Sequence, residues 1–371
     1  MYTTAKSPET HPALLEKCLE LKPQIQQWAE QLGFQSVGIT HTNLEQAEQH
    51  LSRWLQKDFH GNMDYMAKHG HKRSRPAELE PGTLRVISVA IPYLPEAMAK
   101  MDTQLQQPLQ AYVSRYALGR DYHKLLRKRL VQLAKKIQQQ SGEFAEKFNY
   151  RAFTDSAPVL EKPLAEQAGL GWIGKHSNLI NAQQGSWFFL GELYTNLPLP
   201  VDAPAQNHCG RCQRCLEVCP TQAIVAPYQV DARLCISYLT IELHGAIPRQ
   251  LRALIGNRIY GCDDCQLVCP WNRFAHLTAE KDFLPRQGLD NISLLELFAW
   301  DEASFLRRTE GSAIRRIGYQ RWLRNISVAL GNALRADELK HCDHALIREA
   351  LSQRLIESDD MLREHILWAL E

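Results

Sequence analysis

Apolar residues recur over the first two hundred positions in two alternating rhythms. Ile25, Trp28, Ala29 and Leu32 fall at helical spacing, Gly33 stops that helix, and Phe34 to Thr40 reads as a buried strand. Leu44, Ala47, Leu51, Trp54 and Leu55 make a second amphipathic stripe. Arg85 to Pro92 is a strand by its β-branched content, and Leu125 to Ile137 is a helix with a basic outer face. Asn149 to Thr154 and Trp187 to Tyr194 read as further strands, with a helix around Val159 to Ala168 between them. Such alternation predicts an α/β domain over residues 1–200, its helices covering a sheet.

The rhythm then changes twice. Over residues 201–285, Pro204 and Pro220 punctuate the chain and cysteines crowd together, as in a small ferredoxin-like module whose core is largely its clusters. Over residues 286–371 nearly everything is helical, opening with Leu294, Leu295, Leu297 and Phe298. Helices at Trp322 to Leu334, Ala345 to Ile356 and Met361 to Leu370 predict a short array of stacked hairpins resembling HEAT repeats. The expected class is therefore multidomain, α/β and α+β, with a helical C-terminal part.

Composition narrows the setting. The 371 residues are 44% hydrophobic and 23% charged, with no run of about 18 apolar residues, so no membrane span is expected. The opening MYTTAKSPETHP is polar and lacks an apolar core, so no export signal is expected either. A reducing cytoplasm suits ten cysteines in a chain large enough to need no disulfide staples.

Seven of those cysteines fall into two runs, Cys209-x2-Cys212-x2-Cys215-x3-Cys219-Pro220 and Cys262-x2-Cys265-x3-Cys269-Pro270. The first has bacterial ferredoxin spacing, in which three thiolates hold one iron–sulfur cluster and the proline-flanked fourth reaches a second. Aligning the runs places Ile259 where Cys209 has its counterpart, so one ligand is missing. Two [4Fe–4S] clusters take eight thiolates, and Cys235 lies between the runs. The assignment is Cys209, Cys212, Cys215 and Cys269 for the first cluster, and Cys219, Cys235, Cys262 and Cys265 for the second. Structural zinc would leave the run and the pool of eight unexplained. Cys18 and Cys342 lie far off and read as ordinary thiols.

Three further features carry candidate chemistry. Asp155, in Thr154-Asp155-Ser156-Ala157-Pro158, sits where a strand ends and a helix begins, a site-like position that is equally a helix N-cap. Gly169, Gly171 and Gly174 permit close backbone approach to a large ligand, or simply make turns. Residues 307–324 hold Arg307, Arg308, Arg315, Arg316, Arg321 and Arg324 against one acid, Glu310, with Tyr319 and Trp322 interleaved. That is the footprint of a nucleic-acid backbone with bases stacked on aromatics, or of arginines paired with acids elsewhere.

These stretches together resemble the epoxyqueuosine reductases. The resemblance covers most of the chain and includes Arg115 to His123, Asp155 to Glu161, Gly171 to Lys175, the eight cysteines, Cys235 to Glu242 and Gly318 to Asn325. It implies a cobalamin-dependent iron–sulfur enzyme that removes the epoxide oxygen of a modified guanine at the tRNA wobble position. A cobalt corrinoid between one-electron clusters and a two-electron substrate makes chemical sense. By the same resemblance, Arg73, Asp155, Asn178, Leu179, Ser237 and Asp263 are expected beside the corrinoid. Asp155 becomes the expected proton donor, with a pKa raised by burial. The arginine-rich helices become the expected contact for the anticodon stem-loop. A monomer fed by a cytoplasmic electron donor completes the expectation. Rival readings are a reductive dehalogenase-like corrinoid enzyme and a non-catalytic ferredoxin-type electron carrier.

Overall fold

The computed structural model describes residues 12–337 and 339–371; residues 1–11, most of the polar opening stretch in which no export signal is expected, lie outside them. Helix α1 (Pro12–Gln31) buries Cys18, Leu21, Ile25 and Ala29 at intervals of three and four, the stripe a helix needs to lie on a sheet. That sheet has four strands, β1 (Ser36–Thr40), β2 (Arg85–Pro92), β3 (Tyr150–Phe153) and β4 (Phe188–Thr195), in the order β1-β2-β4-β3. All three pairings are antiparallel.

The central strands are covered on both faces. Ile87, Val89 and Leu193 pack with α1 and with Leu126, Leu130 and Leu133 of α2 (Tyr122–Gln140). On the opposite face Val86 and Tyr194 meet Leu164 of α3 (Glu161–Gln167). Helix and strand approach closely there, because a Cβ on Gly38 would lie 2.0 Å from the Ala168 carbonyl oxygen. The N-terminal region is thus mixed α and β, as expected. Its antiparallel pairing, however, removes the reason for placing a ligand at a shared carboxyl end of parallel strands. What places Asp155 instead is the edge strand β3, which ends two residues before it.

The cysteine-bearing module and the C-terminal helices have a common core. Tyr112–Val113 pairs in parallel with Arg258–Tyr260. Around that pair, Val113, Ile236, Leu239 and Ile259 pack against Trp322, Leu323 and Ile326 of α4 (Gly318–Ala333). Helices α5 (His341–Leu355) and α6 (Asp360–Leu370) complete this core. Gly331 of α4 sits so close to α6 that a Cβ would lie 2.8 Å from the Ala369 Cα. The expected array of stacked hairpins is not seen as a distinct unit among the described residues. Its first helix is sealed between α6 and the cysteine module, which leaves no repeating interface to extend. Among the described residues, no helix is long and apolar enough to cross a membrane.

Candidate active site and cofactor cavities

Eight cysteines line two neighbouring cavities, four in each. Cys209, Cys212, Cys215 and Cys269 line a cavity of about 100 Å³ with Ile180, His208 and Trp271. Cys219, Cys235, Cys262 and Cys265 line another of about 420 Å³. The same groups act on one another electrically: Cys215 feels Cys269, Cys209 and Cys212, while Cys265 feels Cys235 and Cys219. The short helices Arg214–Val218 and Asp264–Leu267 carry one cysteine of each run, Cys215 and Cys265. Lys175 clamps the first run by donating from Nζ to the carbonyls of Gly210 (2.8 Å) and Cys212 (2.9 Å). Cys18 lies in the sheet core and Cys342 on the surface.

His176 lines both cysteine cavities. Burial and the nearby charge of Lys162 push its pKa down to about 4, so it is neutral at pH 7. Its Nδ1 accepts the Asn178 backbone N–H at 3.1 Å, which puts the proton on Nε2. Buried Nε2 has no acceptor among the described residues. A thiolate-rich site with an inward N–H lacking a partner fits an iron–sulfur cluster, whose sulfurs accept hydrogen bonds.

A third cavity, about 710 Å³, adjoins the second; Tyr116, Lys162, Asn178, Cys235 and Ser237 line both. Its wall includes Arg73, Asp155, Tyr122, His123, Glu242 and Arg316. Arg73 is buried, donates to the Tyr65 carbonyl at 2.8 Å, and keeps a buried Nε with no partner among the described residues. A large polar-edged group fits this space, and the Arg73 Nε is a donor available to it.

Asp155 has φ +49°, a left-handed conformation that costs a non-glycine residue of order 1 kcal/mol. Its backbone N–H donates to Glu161 Oε1 at 2.6 Å, which holds that conformation. The carboxylate projects into the cavity, where Oδ2 receives the Tyr122 hydroxyl at 2.5 Å and lies 3.3 Å from His123 Nε2. Burial raises its pKa, but the bonds from His123 and Tyr122 and the charges of His123 and Arg316 outweigh that and hold it below the usual carboxylate value. The expected upward shift is therefore reversed. The acid proton sits on His123 instead. Burial disfavours its charge, yet Asp121, 2.5 Å from Nδ1, and Asp155 push its pKa up to about 9.

Behind this loop lies a buried acid pair that the sequence did not announce. Glu192 on β4 is fully buried, lies in register with Ser88 and faces Glu161, and neither carboxylate oxygen meets full hydrogen-bond geometry with a partner among the described residues. Burial, then the charge of Glu161, raises its pKa far above the ordinary value. Glu161 itself is pushed up to about 7 by burial and by Asp155. No pattern in the sequence marks these two, because they are 31 residues apart and meet only through the sheet. Tyr122 and His123 carried a weak signal, a tyrosine and a histidine beside the Asp121 cap of α2.

The remaining sequence candidates divide. Ser237 and Asn178 line the second and third cavities. Asp263 lines the second, but its buried carboxylate already accepts from Tyr112 (2.9 Å), Ser114 (2.6 Å) and the Arg115 amide (2.9 Å). The Leu179 side chain packs with Ala90, Ala165 and Phe188, and Leu179 lines neither the second nor the third cavity. Gly171 serves its own hairpin rather than a ligand, since a Cβ there would lie 2.2 Å from the Ile180 carbonyl oxygen.

The arginine cluster changes most. Arg324 is buried, and its guanidinium donates to the carbonyls of Leu239, Leu243 and Gly245, so it is withdrawn from any RNA contact. Arg321 is half-buried and donates to the carbonyls of Ile317, Ile241 and Arg316. Trp322 is fully buried and Tyr319 donates to the Trp300 carbonyl, so neither is a stacking platform for bases. Arg307 and Arg315 are exposed, and Arg308 lies over the Trp300 ring. Arg316 stands at the third cavity, paired with Glu242 at 2.6 Å.

Comparison with known proteins matches this arrangement. The 4Fe-4S double cluster binding domain profile matches residues 208–272, and the profile described as Epoxyqueuosine reductase QueG, DUF1730 matches residues 73–156. The epoxyqueuosine reductase of Pseudomonas aeruginosa is 59% identical over 351 residues, covering 94% of each chain. That of Salmonella typhimurium is 60% identical over 351 residues, covering 95% of this chain and 88% of the relative. Among solved structures, epoxyqueuosine reductase from Streptococcus thermophilus aligns with a TM-score of 0.78 at 26% identity, covering 95% of this chain and 90% of that one. An epoxyqueuosine reductase with a tRNA-Tyr epoxyqueuosine-modified stem loop aligns with a TM-score of 0.77 at 25% identity, over 95% and 98% of the two chains. Identity of this extent, along almost the whole of both chains, means that the chain belongs to the epoxyqueuosine reductase family.

Proposed function

We propose that Asp155, with His123 behind it, delivers one of the two protons in the reduction this family performs, epoxyqueuosine to queuosine at the wobble position of tRNA. The chain is an oxidoreductase with two [4Fe–4S] clusters and cobalamin, and its substrate is an epoxyqueuosine-bearing tRNA. Removing the epoxide oxygen as water consumes two electrons and two protons. When bound, the clusters carry single electrons and the corrinoid is the reductant that meets the substrate.

The observation that carries this reading is the shared wall. Cys235, Ser237, Asn178, Lys162 and Tyr116 belong both to the second cysteine cavity and to the cavity that Asp155 faces. The second foursome, with Cys235 as the ligand outside the runs, is thus the one beside the corrinoid site. Arg73 Nε, Ser237 and Asn178 are the proposed holding contacts, and the Leu179 backbone closes the side behind Asn178.

As the C–O bond breaks, negative charge grows on oxygen, and a hydrogen-bonded acid next to it lowers the barrier. His123 Nε2 holds that proton at neutral pH and Asp155 Oδ2 is its route to the oxygen. Tyr122 fixes Oδ2 from the other side, and Glu161 fixes the backbone. Arg315 and Arg316, with Arg307 and Arg308 farther along, are the proposed contacts to stem-loop phosphates. The parts 1–200, 201–285 and 286–371 are proposed as functional divisions, and the cytoplasm as the compartment that keeps the thiolates reduced.

The test is anaerobic reconstitution with iron, sulfide and cobalamin, followed by mass analysis of the nucleoside from a treated epoxyqueuosine stem-loop. Loss of one oxygen atom is expected. Unchanged nucleoside from protein carrying both clusters and corrinoid contradicts the reading.

A further inference from the structure

We infer that the groove over the first cysteine cavity is the docking site of an acidic one-electron carrier protein. The inference rests on the reading that Cys209, Cys212, Cys215 and Cys269 hold a cluster. Electrons must enter from outside, and the second foursome lies inward, against the substrate cavity. The first foursome is at the surface, with Cys212 exposed.

An open groove of about 570 Å³ runs along the outer side of that foursome. Arg214, Cys269 and Pro270 line both the groove and the small cysteine cavity, so one layer of residues separates a docked partner from the cluster position. The groove floor is apolar, with Met98, Val218 and Leu267, and exposed Phe274 and Leu277 follow its edge residue Arg273 in sequence. Arg214 and Arg273 line the groove, and Arg211 is exposed beside Cys212. None of these three guanidiniums has an ion-pair partner among the described residues. One acid, Glu217, opposes them.

A net positive rim around an apolar floor suits an acidic protein surface and steers its approach. In each encounter the reduced carrier loses one electron and the cluster gains it, with no bond or proton exchanged. Two encounters supply the two electrons of one turnover.

The experiment uses the fully reconstituted protein and a photoreduced acidic flavodoxin as probe. Stopped-flow bleaching of cluster absorbance gives the second-order rate of electron entry, and anisotropy of labelled oxidised flavodoxin gives binding. Arg211→Glu/Arg273→Glu is expected to lower both by about tenfold at low salt, with most of the difference erased at high salt. Glu217→Gln is expected to raise them. Bleaching by dithionite, which needs no docking, and affinity for the stem-loop should be unchanged in both variants. If the double variant fails to take up its clusters, Arg273→Glu alone serves, with a smaller loss expected. Rates indifferent to charge reversal and salt would overturn the inference, and so would loss of stem-loop binding, which would make the groove an RNA surface. Failure of dithionite to bleach the wild-type protein would instead remove the underlying cluster reading.

Discussion

The two cysteine cavities offer the same donor atoms in opposite surroundings. The outer one is about 100 Å³, lies at the surface through Cys212, and is walled by Trp271 and His208. The inner one is about 420 Å³ and opens onto the Asp155 cavity through a wall that includes Cys235 and Ser237. On the proposed reading, the outer one receives electrons and the inner one passes them toward corrinoid and substrate. Position in the fold, not ligand chemistry, separates their tasks, with His176 between them lining both.

Cys235→Ala breaks this comparison most severely. It should remove the inner cluster and abolish turnover while sparing the outer one, so iron analysis should find about half the wild-type metal, still reducible by dithionite. Full iron content in this variant would show that Cys235 is no ligand.

His123 sharpens the inner side. Its pKa is raised from 6.5 to about 9, so the protonated form, and the stability it brings, is complete below 6.5 and lost as pH rises through about 9. Turnover should fall along the same alkaline limb. In His123→Gln that limb should move to lower pH and the plateau should drop about tenfold, as a pH–rate profile with excess reductant would show. An unmoved limb would assign the proton elsewhere.

Arg316 and Arg324 give an intermediate test. Arg324→Met should lower unfolding stability by about 3 kcal/mol, because several buried carbonyls lose their donor, and should leave stem-loop affinity unchanged in the folded protein. Arg316→Ala should weaken stem-loop binding a few-fold and flatten its salt dependence, without a comparable loss of stability. Thermal melts and binding titrations on both variants check the contrast.

The smallest effect is expected at His176. His176→Phe removes the inward Nε2 donor, so at least one cluster potential should move to a more negative value in a spectroelectrochemical titration. Unchanged potentials would mean that the N–H serves no cluster sulfur.

Legibility in the sequence follows how local each signal is. The strand Arg85–Pro92 was readable residue for residue, since its β-branched run is buried on both faces. The antiparallel order of the sheet was not, because pairing joins segments about a hundred residues apart. The cysteine runs carry their own arithmetic, since ligand spacing is a short-range property. The arginine run does not, because a guanidinium capping buried carbonyls and one facing solvent look alike in sequence; Arg324 and Arg315 are nine residues apart and do opposite things. Asp155 was found by its place after a strand, but its lowered pKa came from His123 and Tyr122, 32 and 33 residues away.

The proton route through Asp155 is tested most directly by single-turnover reduction of an epoxyqueuosine stem-loop by Asp155→Asn, in protein shown by spectra to hold both clusters and the corrinoid. A fall in rate of about a hundredfold or more against wild type, with stem-loop affinity intact, is the expected result. A normal rate in the fully loaded variant would contradict it.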